Sequence, residues 1–466
     1  GTDISSATMT QGSDPTIWTY VWNVPSGSDG TATVTVAGSD LAGNAYVGTT
    51  NLVFTIDNIA PTLSPVAIIS NNATTSLAKE GDIITLTFTS NEAISTPTVT
   101  IAGDAATVTG GPTSWSASYT VTNATTEGLA AINVAFSDLA GNAGTPVTAV
   151  TDASSVTVDR AVPTLSPVAI ISNNATTSLA KEGDIITLTF TSNEAISTPT
   201  VTIAGDAATV TGGPTSWSAS YTVTNATTEG LAAINVAFSD LAGNAGTPVT
   251  AVTDGSSVTV DTTPPTAFTT GLVTAVGGVV VADKWNATNT HADVTIPLET
   301  ADVSLVDGTI QMQTSIDGGA TWVDFMPPPQ TITSTDHTAG SVTFSVDEAG
   351  VESAHGGIVD GQTVRIRAII TDKAGNVTTG TESASTLFID QTKPVILPLV
   401  VGWGAYLNAV EDNSNGTISV TTTGVEDGQT VTLNLNGTNY TNTITANATT
   451  ITIPALDLQI QKLAEG

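Results

Sequence analysis

The chain of 466 residues contains no cysteine. That absence excludes disulfide bonds, thiolate metal sites and thiol nucleophiles. Basic residues are scarce as well, since 9 Lys and Arg stand against 42 Asp and Glu, for a formal net charge of −33. Nucleic acids and anionic membranes need a basic surface to neutralise phosphate, so neither is an expected partner. An acidic chain attracts divalent cations instead, and calcium is the cofactor we expect.

Long apolar runs and aromatic residues are also lacking. No stretch approaches the roughly 18 consecutive apolar residues of a membrane-spanning helix, so we expect no membrane insertion. Aromatic residues make up only 5%, which is little for a sugar-cleaving cleft. The three histidines, His291, His337 and His355, have no metal-ligand spacing and are expected at the surface. We therefore do not expect an enzyme. The sequence opens without a signal peptide and in the middle of a repeat unit, so we expect it to be a segment of a longer protein.

A near-perfect internal repeat dominates what is present. Residues 61–159 recur as 163–261, offset by 102, with a single difference over 99 positions, where Ala153 becomes Gly255. Repeats of this length predict an array of similar domains. An enzyme gains little from a tandem copy of itself, whereas a surface stalk gains length.

A recurring sequence motif marks the domain boundaries. An apolar strand ends in Asp, two or three residues follow, and then comes Pro; the pairs are Asp57 and Pro61, Asp159 and Pro163, Asp261 and Pro264, and Asp390 and Pro394. A second motif, Ser/Thr-Asp-x-Ala-Gly-Asn, precedes each boundary, with its Asp at Asp40, Asp138, Asp240 and Asp372. We predict modules at 1–59, 60–161, 162–263, 264–393 and 394–466, of which the first and the last are partial.

Within a repeat the hydrophobic period is two. Ile84, Leu86 and Phe88 alternate with threonines, and Trp115 begins a second alternating run, so Trp115 and its copy Trp217 are expected in the core. Such alternation predicts strands with one buried face and one exposed face. About seven short strands per 100 residues, separated by Gly, Asn and Pro, predict a two-sheet sandwich. No helical periodicity is evident.

Module 264–393 is longer than its neighbours. Residues 310–323 predict a hairpin with its turn at Asp317 and Gly318. Pro327, Pro328 and Pro329 predict the start of a stiff loop. The module still ends in the Asp372 motif and an apolar strand into Asp390, so it follows the same plan.

The Asp-x-Ala-Gly-Asn turn, followed by a strand into Asp and Pro, resembles the bacterial immunoglobulin-like repeats of giant surface adhesins. Residues 407–411 and 423–431 of the last module resemble the repeats of biofilm-associated and RTX-type adhesins. The fold expected is all-β, with tandem immunoglobulin-like β-sandwich modules in an extended rod. The resemblance implies calcium-dependent rigidity, and ligand binding by domains outside this chain.

Strand order predicts where the acidic residues meet. With strand B near 83–90, strand F near 131–137 and strand G near 154–158, the B–C and F–G turns lie at the pole where the chain enters. Glu92 and Asp138 then lie beside Asp57, the last acid of the preceding module. Three converging carboxylates would repel one another, and Ca²⁺ prefers such oxygen ligands.

The same logic applies to the remaining junctions. We expect Asp159, Glu194 and Asp240 at the second junction, Asp261 and Asp372 with Glu299 at the third, and Asp390 with Glu426 and Asp427 at the fourth; Asp40 holds the equivalent turn position in the first module. Acids at the opposite pole rank second as ligands: Glu80, Asp82 and Asp104, with copies Glu182, Asp184 and Asp206.

A simpler interpretation needs no metal. A single Asp in a turn commonly accepts hydrogen bonds from its own backbone. In this motif Gly and Asn could be present only to adopt positive φ. The recurrence of a turn acid with a linker acid favours the metal.

Three functions fit these features. We favour a calcium-rigidified spacer of a bacterial cell-surface adhesin, extracellular, that projects a distal binding domain for adhesion or biofilm formation. The second is a subunit of an extracellular filament or S-layer-like assembly, in which copies of the chain complete one another by strand addition. The third is an accessory region of a secreted hydrolase.

Overall fold

The computed structural model describes residues 7–25, 27–46, 51–405 and 413–462. The chain divides into two compact units, Gly1–Val260 and Asp261–Gly466, and each is considered by itself. The predicted motif at residues 407–411 lies outside the described residues. None of the helices in the described ranges is long and apolar enough to cross a bilayer.

The first repeat is a two-sheet β-sandwich. Its strands are β5 Leu63–Ser70, β6 Leu77–Ala78, β7 Ile83–Ser90, β8 Thr98–Ile101, β9 Asp104–Ala105, β10 Thr107–Gly110, β11 Ser114–Thr120, β12 Gly128–Leu129, β13 Ile132–Ala135 and β14 Thr157–Val158. One sheet has the strand order β10–β11–β7–β5, and facing it lie two three-stranded sheets, β13–β8–β9 and β12–β14–β6.

The predicted alternation builds the core of this sandwich. Ile84, Leu86 and Phe88 of β7 are buried, and the intervening threonines face outward. Phe88 lies directly opposite Trp115 of β11 in the antiparallel register, and Trp115 is buried as predicted. Burying one face of each strand against the facing sheet supplies the hydrophobic stabilisation of the module.

The second repeat has the same sandwich. Its core is the copy of the first, from Leu165 to Val260, with Trp217 at the position of Trp115. The strands are β15 Leu165–Ser172, β16 Leu179–Ala180, β17 Ile185–Ser192, β18 Thr200–Ile203, β19 Asp206–Ala207, β20 Thr209–Gly212, β21 Ser216–Thr222, β22 Gly230–Leu231, β23 Ile234–Ala237 and β24 Thr259–Val260. Ahead of both repeats lie β1 Thr10–Gln11, β2 Trp18–Thr19, β3 Gly30–Val34 and β4 Leu52–Ile56.

The longer module, in the second unit, has its own core around Trp285, Phe325 and Ile310. Its elements are β25 Val273–Val276, β26 Lys284–Asn286, β27 His291–Pro297, a 3₁₀ turn Val303–Leu305, β28 Thr309–Ser315, β29 Val323–Thr331, α1 Ser334–Ala339, β30 Ser341–Val346, α2 Glu348–His355, β31 Thr363–Thr371, β32 Val377–Thr379 and β33 Leu387–Asp390. The last elements of the unit are β34 Val395–Ile396, β35 Val400–Val401, β36 Gly416–Thr423, β37 Thr430–Leu435, β38 Thr438–Thr443, β39 Ala448–Ile453 and α3 Ala455–Lys462.

The structure corrects two sequence predictions for this module. The hairpin is present as β28 and β29, but the three prolines lie inside β29 rather than in a loop. Strand β29 is at the edge of its sheet, and the pairing register shifts between Ile310 and Met312. An edge strand and a bulge both tolerate residues that lack an N–H donor. The short helices were not predicted, because six or eight residues cannot display a helical period; α1 is instead recognisable by its capping box, Thr333 with Asp336.

Candidate functional site: acidic groups at module junctions

Two groups of three acids form at the junctions in the first unit. Asp57, Glu92 and Asp138 each offer a carboxylate oxygen, and these oxygens lie within 4.8 Å of one another; the same holds for Asp159, Glu194 and Asp240. In each group the linker Asp and the Glu are half-buried and the turn Asp is buried. The structure thus brings together the six residues that strand order had placed at these junctions.

Backbone contacts between two loops position Glu92 beside Asp138. The Ser95 N–H donates to the Ser137 carbonyl at 2.9 Å, and Ile94 forms an isolated bridge with Asp138. The Ser95 hydroxyl donates to the Asp138 carbonyl at 3.3 Å. These bonds join the B–C loop to the turn after β13, so the two carboxylates share one pole of the sandwich.

The turn Asp also holds its own loop together. Asp138 Oδ1 accepts hydrogen bonds from the N–H groups of Gly141 and Asn142, at 2.7 and 2.8 Å. Gly141 has φ of 99°, which a residue with a Cβ adopts only with strain. Burial alone would raise the pKa of the Asp138 carboxyl, but the bonds from the Asn142 side chain and the backbone outweigh it and lower the pKa. The simpler turn-capping interpretation therefore holds for Asp138, in addition to its place in the acidic group.

The Asn of the motif has a role that the sequence interpretation missed. Asn142 does not adopt positive φ; its side-chain amide donates to Asp138 Oδ2 at 2.7 Å and to the carbonyl of Asp57 at 2.9 Å. Asn244 binds Asp240 and the Asp159 carbonyl with the same geometry. The amide thus fastens the incoming linker to the turn. The regular spacing of this Asn from both aspartates was the only signal in the sequence.

Charge repulsion is visible in the second group. Burial and the nearby Asp240 carboxylate raise the pKa of Asp159. Burial, Asp159 and Asp240 raise the pKa of Glu194. Both carboxylates are therefore disfavoured in their ionised forms, as expected when like charges gather in a partly buried place.

Oxygen atoms bound to one Ca²⁺ at about 2.4 Å lie at most about 4.8 Å apart. The spacing in both groups satisfies this limit. The groups contain only carboxylates, which favour Ca²⁺, Mg²⁺ or Mn²⁺ over metals that prefer nitrogen or sulfur. Three carboxylates supply three to six of the six to eight oxygens that Ca²⁺ takes, and water completes such shells.

The third junction differs from the first two. Asn376 donates to Asp372 Oδ2 and to the Asp261 carbonyl, each at 2.9 Å, so the linker clamp is present. Burial raises the pKa of Asp372 despite the bonds it accepts from Asn376. Glu299 is exposed and accepts from the Ala301 N–H. Within the described ranges, Asp261, Asp372 and Glu299 do not form a group with metal-binding spacing.

The remaining candidates do not form such a group either. In the described residues, Asp390 joins no acidic triad with Glu426 and Asp427; Asp427 accepts from the Ala446 N–H instead. Asp40 is exposed and accepts hydrogen bonds from Asn44 within its own turn. At the opposite pole, Asp82 accepts from Asn72 and from the Lys79 N–H, and Asp184 repeats these bonds.

No family model matches the chain, and no curated protein matches it. One similar solved structure comes from work on host cell surface retention of a 1.5-MDa bacterial ice-binding adhesin. It has a TM-score of 0.37 and 20% identity, and the match covers 72% of this chain and 100% of that one. An I-band fragment of titin has a TM-score of 0.30 and 11% identity, covering 72% and 99%.

Fibronectin(III)-like modules of Clostridium thermocellum CbhA have a TM-score of 0.22 and 18% identity, covering 43% of this chain and 93% of that one. The chain is a tandem array of immunoglobulin-like β-sandwich modules.

Proposed function

We propose that this chain is a spacer segment of a bacterial cell-surface adhesin, outside the cell, whose junctions are stiffened by calcium. It projects a binding domain, located elsewhere in the protein, toward the surface that the cell adheres to, and so serves adhesion or biofilm formation. The chain itself performs no chemistry in this proposal.

The observation that best supports this proposal is that the residues of each acidic group come from both modules at a junction. Asp159 belongs to the end of the first repeat, whereas Glu194 and Asp240 belong to loops of the second. A cation bound to all three connects the two modules and restricts bending at the linker. The arrangement recurs at Asp57, Glu92 and Asp138.

Mass action gives the size of the effect. A cation present at 100 times its dissociation constant stabilises the bound state by about 2.7 kcal/mol. Because 1.4 kcal/mol changes an equilibrium constant about tenfold, that energy is large enough to shift a junction from a flexible to a predominantly fixed arrangement.

Calcium titration of the chelator-treated chain by isothermal calorimetry tests the proposal. Two binding events are expected, and Glu92→Gln and Glu194→Gln should each weaken one of them. The exposed Glu80→Gln is the matched control, since Glu80 belongs to neither group. Small-angle scattering should show a narrower distribution of intramolecular distances with calcium. Absence of calcium binding at millimolar concentration would refute the calcium part of the proposal.

Self-assembly into a filament is a second candidate, supported by exposed apolar residues near both ends. Trp18, Leu52 and Val53 are more than half exposed in the first module, and Ile396 and Val400 in the last. Exposed apolar side chains mark an interaction site where they lie together in one patch. Sedimentation velocity over a hundredfold range of concentration separates the two candidates, because a plain spacer stays monomeric.

A further inference from the structure

The two repeats have nearly the same sequence but different surroundings, and the differences lie in the Asp-x-Ala-Gly-Asn turn. Ala140 in the first repeat is exposed, whereas the equivalent Ala242 in the second is 1% exposed. Leu139 is 75% exposed and Leu241 is 51% exposed. Because the turn sequences are identical, something outside the second repeat covers its turn.

The cover is the far pole of the first repeat. The Asn72 side-chain amide donates to the Ala242 carbonyl at 2.8 Å. A Cβ built on Gly243 would lie 3.3 Å from Lys79 Cε, whereas nothing lies within 4 Å of the same point on Gly141. The Lys79 side chain therefore packs on the Gly243 turn of the next module.

Residues within the first repeat orient this contact. Asp82 Oδ2 accepts from the Asn72 amide at 2.7 Å and from the Lys79 backbone N–H at 2.8 Å. Asn72 Oδ1 accepts from the Thr74 N–H at 2.9 Å, which fixes the side chain that reaches Ala242. A side-chain amide already held by two hydrogen bonds within its own module loses little conformational freedom on docking, so the hydrogen bond across the junction is well defined.

We infer that the pole carrying Asn72, Lys79 and Asp82 is a recognition surface for the Ala-Gly turn of a following copy of the same repeat, and that this contact holds the two modules together without a metal ion. The acidic group of this junction uses Asp159, Glu194 and Asp240, and none of these residues takes part in the contact. The inference therefore does not depend on calcium.

Both halves of the contact lie inside the duplicated segment. The pole residues belong to residues 61–159, and the turn at Ala242 and Gly243 is the copy of Ala140 and Gly141 in that segment. Duplication of the segment therefore copies a complete junction, donor and acceptor together. A repeat array built this way keeps the same module contact at every new copy.

The linker between the two repeats contains a trypsin site, Arg160, whose cleavage reports on this contact. Arg160 donates to the Asn123 carbonyl at 2.6 Å and lies 3.8 Å from the Glu127 carboxylate. We expect trypsin to cleave after Arg160 faster when the linker leaves this arrangement, and the products, 1–160 and 161–466, are identified by mass. When opening is fast relative to cleavage, the rate reports the population of the open junction.

Limited trypsin digestion of the full chain in chelator tests the inference. Ala242→Leu overfills the covered turn and should raise the rate of cleavage after Arg160 about tenfold. Ala140→Leu is the matched control, because it makes the same change in the same turn sequence where the turn is exposed, and its rate should equal that of the unmodified chain.

A second variant avoids any effect on the turn itself. Lys79→Ala removes the side chain that lies on Gly243 and should raise the cleavage rate about two- to fivefold, as expected for the loss of a partly exposed packing contact. Equal cleavage rates for Ala242→Leu and Ala140→Leu would overturn the inference. Failure of the calcium proposal has a different signature, since calcium would then give the unmodified chain no added protection.

Discussion

Replacing Glu194 with Gln should change the stability of the second repeat in opposite directions with and without calcium. In chelator, Glu194 is repelled by Asp159 and Asp240, whose oxygens lie within 4.8 Å of its own. Two unit charges 4.8 Å apart repel each other by about 3.5 kcal/mol at an effective dielectric constant of about 20. Because Glu194 and Asp159 are only half-buried, solvent and salt reduce the net effect to about 1 kcal/mol.

The expected result in chelator is a higher melting temperature for Glu194→Gln, by about 4 °C or slightly more for a module of this size. With calcium at 100 times its dissociation constant, the unmodified chain gains about 2.7 kcal/mol. The variant has lost a ligand and gains less. It should then melt below the unmodified chain. Differential scanning calorimetry of both proteins in both buffers measures the reversal.

The pH dependence has a definite sign. Asp159 and Glu194 have raised pKa values in the folded chain, so their contribution is fully present below the ordinary carboxyl range, near pH 4, and is lost as the pH rises through the raised values. In chelator, the stability difference between Glu194→Gln and the unmodified chain should therefore widen from pH 4 to pH 7.

Glu182→Gln is the control, because Glu182 is an exposed acid of the same module outside the group. It should show neither the reversal nor the widening with pH. If Glu194→Gln changes stability in the same direction in both buffers, the three carboxylates do not act as a repelling, cation-binding group, and the reasoning is wrong.

Three further outcomes are expected. Asn244→Ala removes the amide bound to Asp240 and to the Asp159 carbonyl, and should cost about 1–3 kcal/mol and speed hydrogen exchange in the linker, with unchanged exchange there counting against a clamp. Asp317→Ala removes the acceptor of three hydrogen bonds from Ser315 and Thr321 and should lower the melting temperature of the longer module. Because those bonds lower the pKa of Asp317, the stabilisation that Asp317 provides should be lost as the pH falls below the ordinary Asp range. A variant whose stability depends on acid pH in the same way as that of the unmodified chain would contradict this. Leu86→Ala empties part of a fully buried position and should cost about 2–5 kcal/mol in a single calorimetric transition, while loss of all transitions together would show that the modules do not melt separately.

Sequence patterns determine much of the fold because their physical basis is local. Alternation of Ile84, Leu86 and Phe88 with threonine predicts a strand with one buried face and one solvent-exposed face, and the burial pattern of β7 confirms this prediction. The meeting of Glu92 with Asp138 followed from strand order alone, since successive loops of a sandwich alternate between its poles. The role of these acids as calcium ligands stays a prediction.

Contacts that depend on exact geometry could not be predicted. Glu299 follows its strand as Glu92 does, yet it is exposed and bonded to Ala301, because its loop in the longer module has a different course. The prolines at 327–329 are accommodated by an edge strand with a bulge, which only the pairing register reveals. The contact of Asn72 with Ala242 joins residues 170 positions apart, and no pattern within one repeat indicates it.

The pairing of β14 has a mechanical consequence. This short final strand of the first repeat runs parallel to β6, with Thr157 beside Leu77 and Val158 beside Ala78. The Asp159 N–H extends the ladder by donating to the Ala78 carbonyl at 2.9 Å. Tension on the chain beyond Asp159 pulls β14 lengthwise past β6, so these hydrogen bonds carry the load in shear and must break together. Because forced unfolding is governed by the height of the unfolding barrier, we expect the pairing of β14 with β6 to contribute to the resistance of the module to a pulling force.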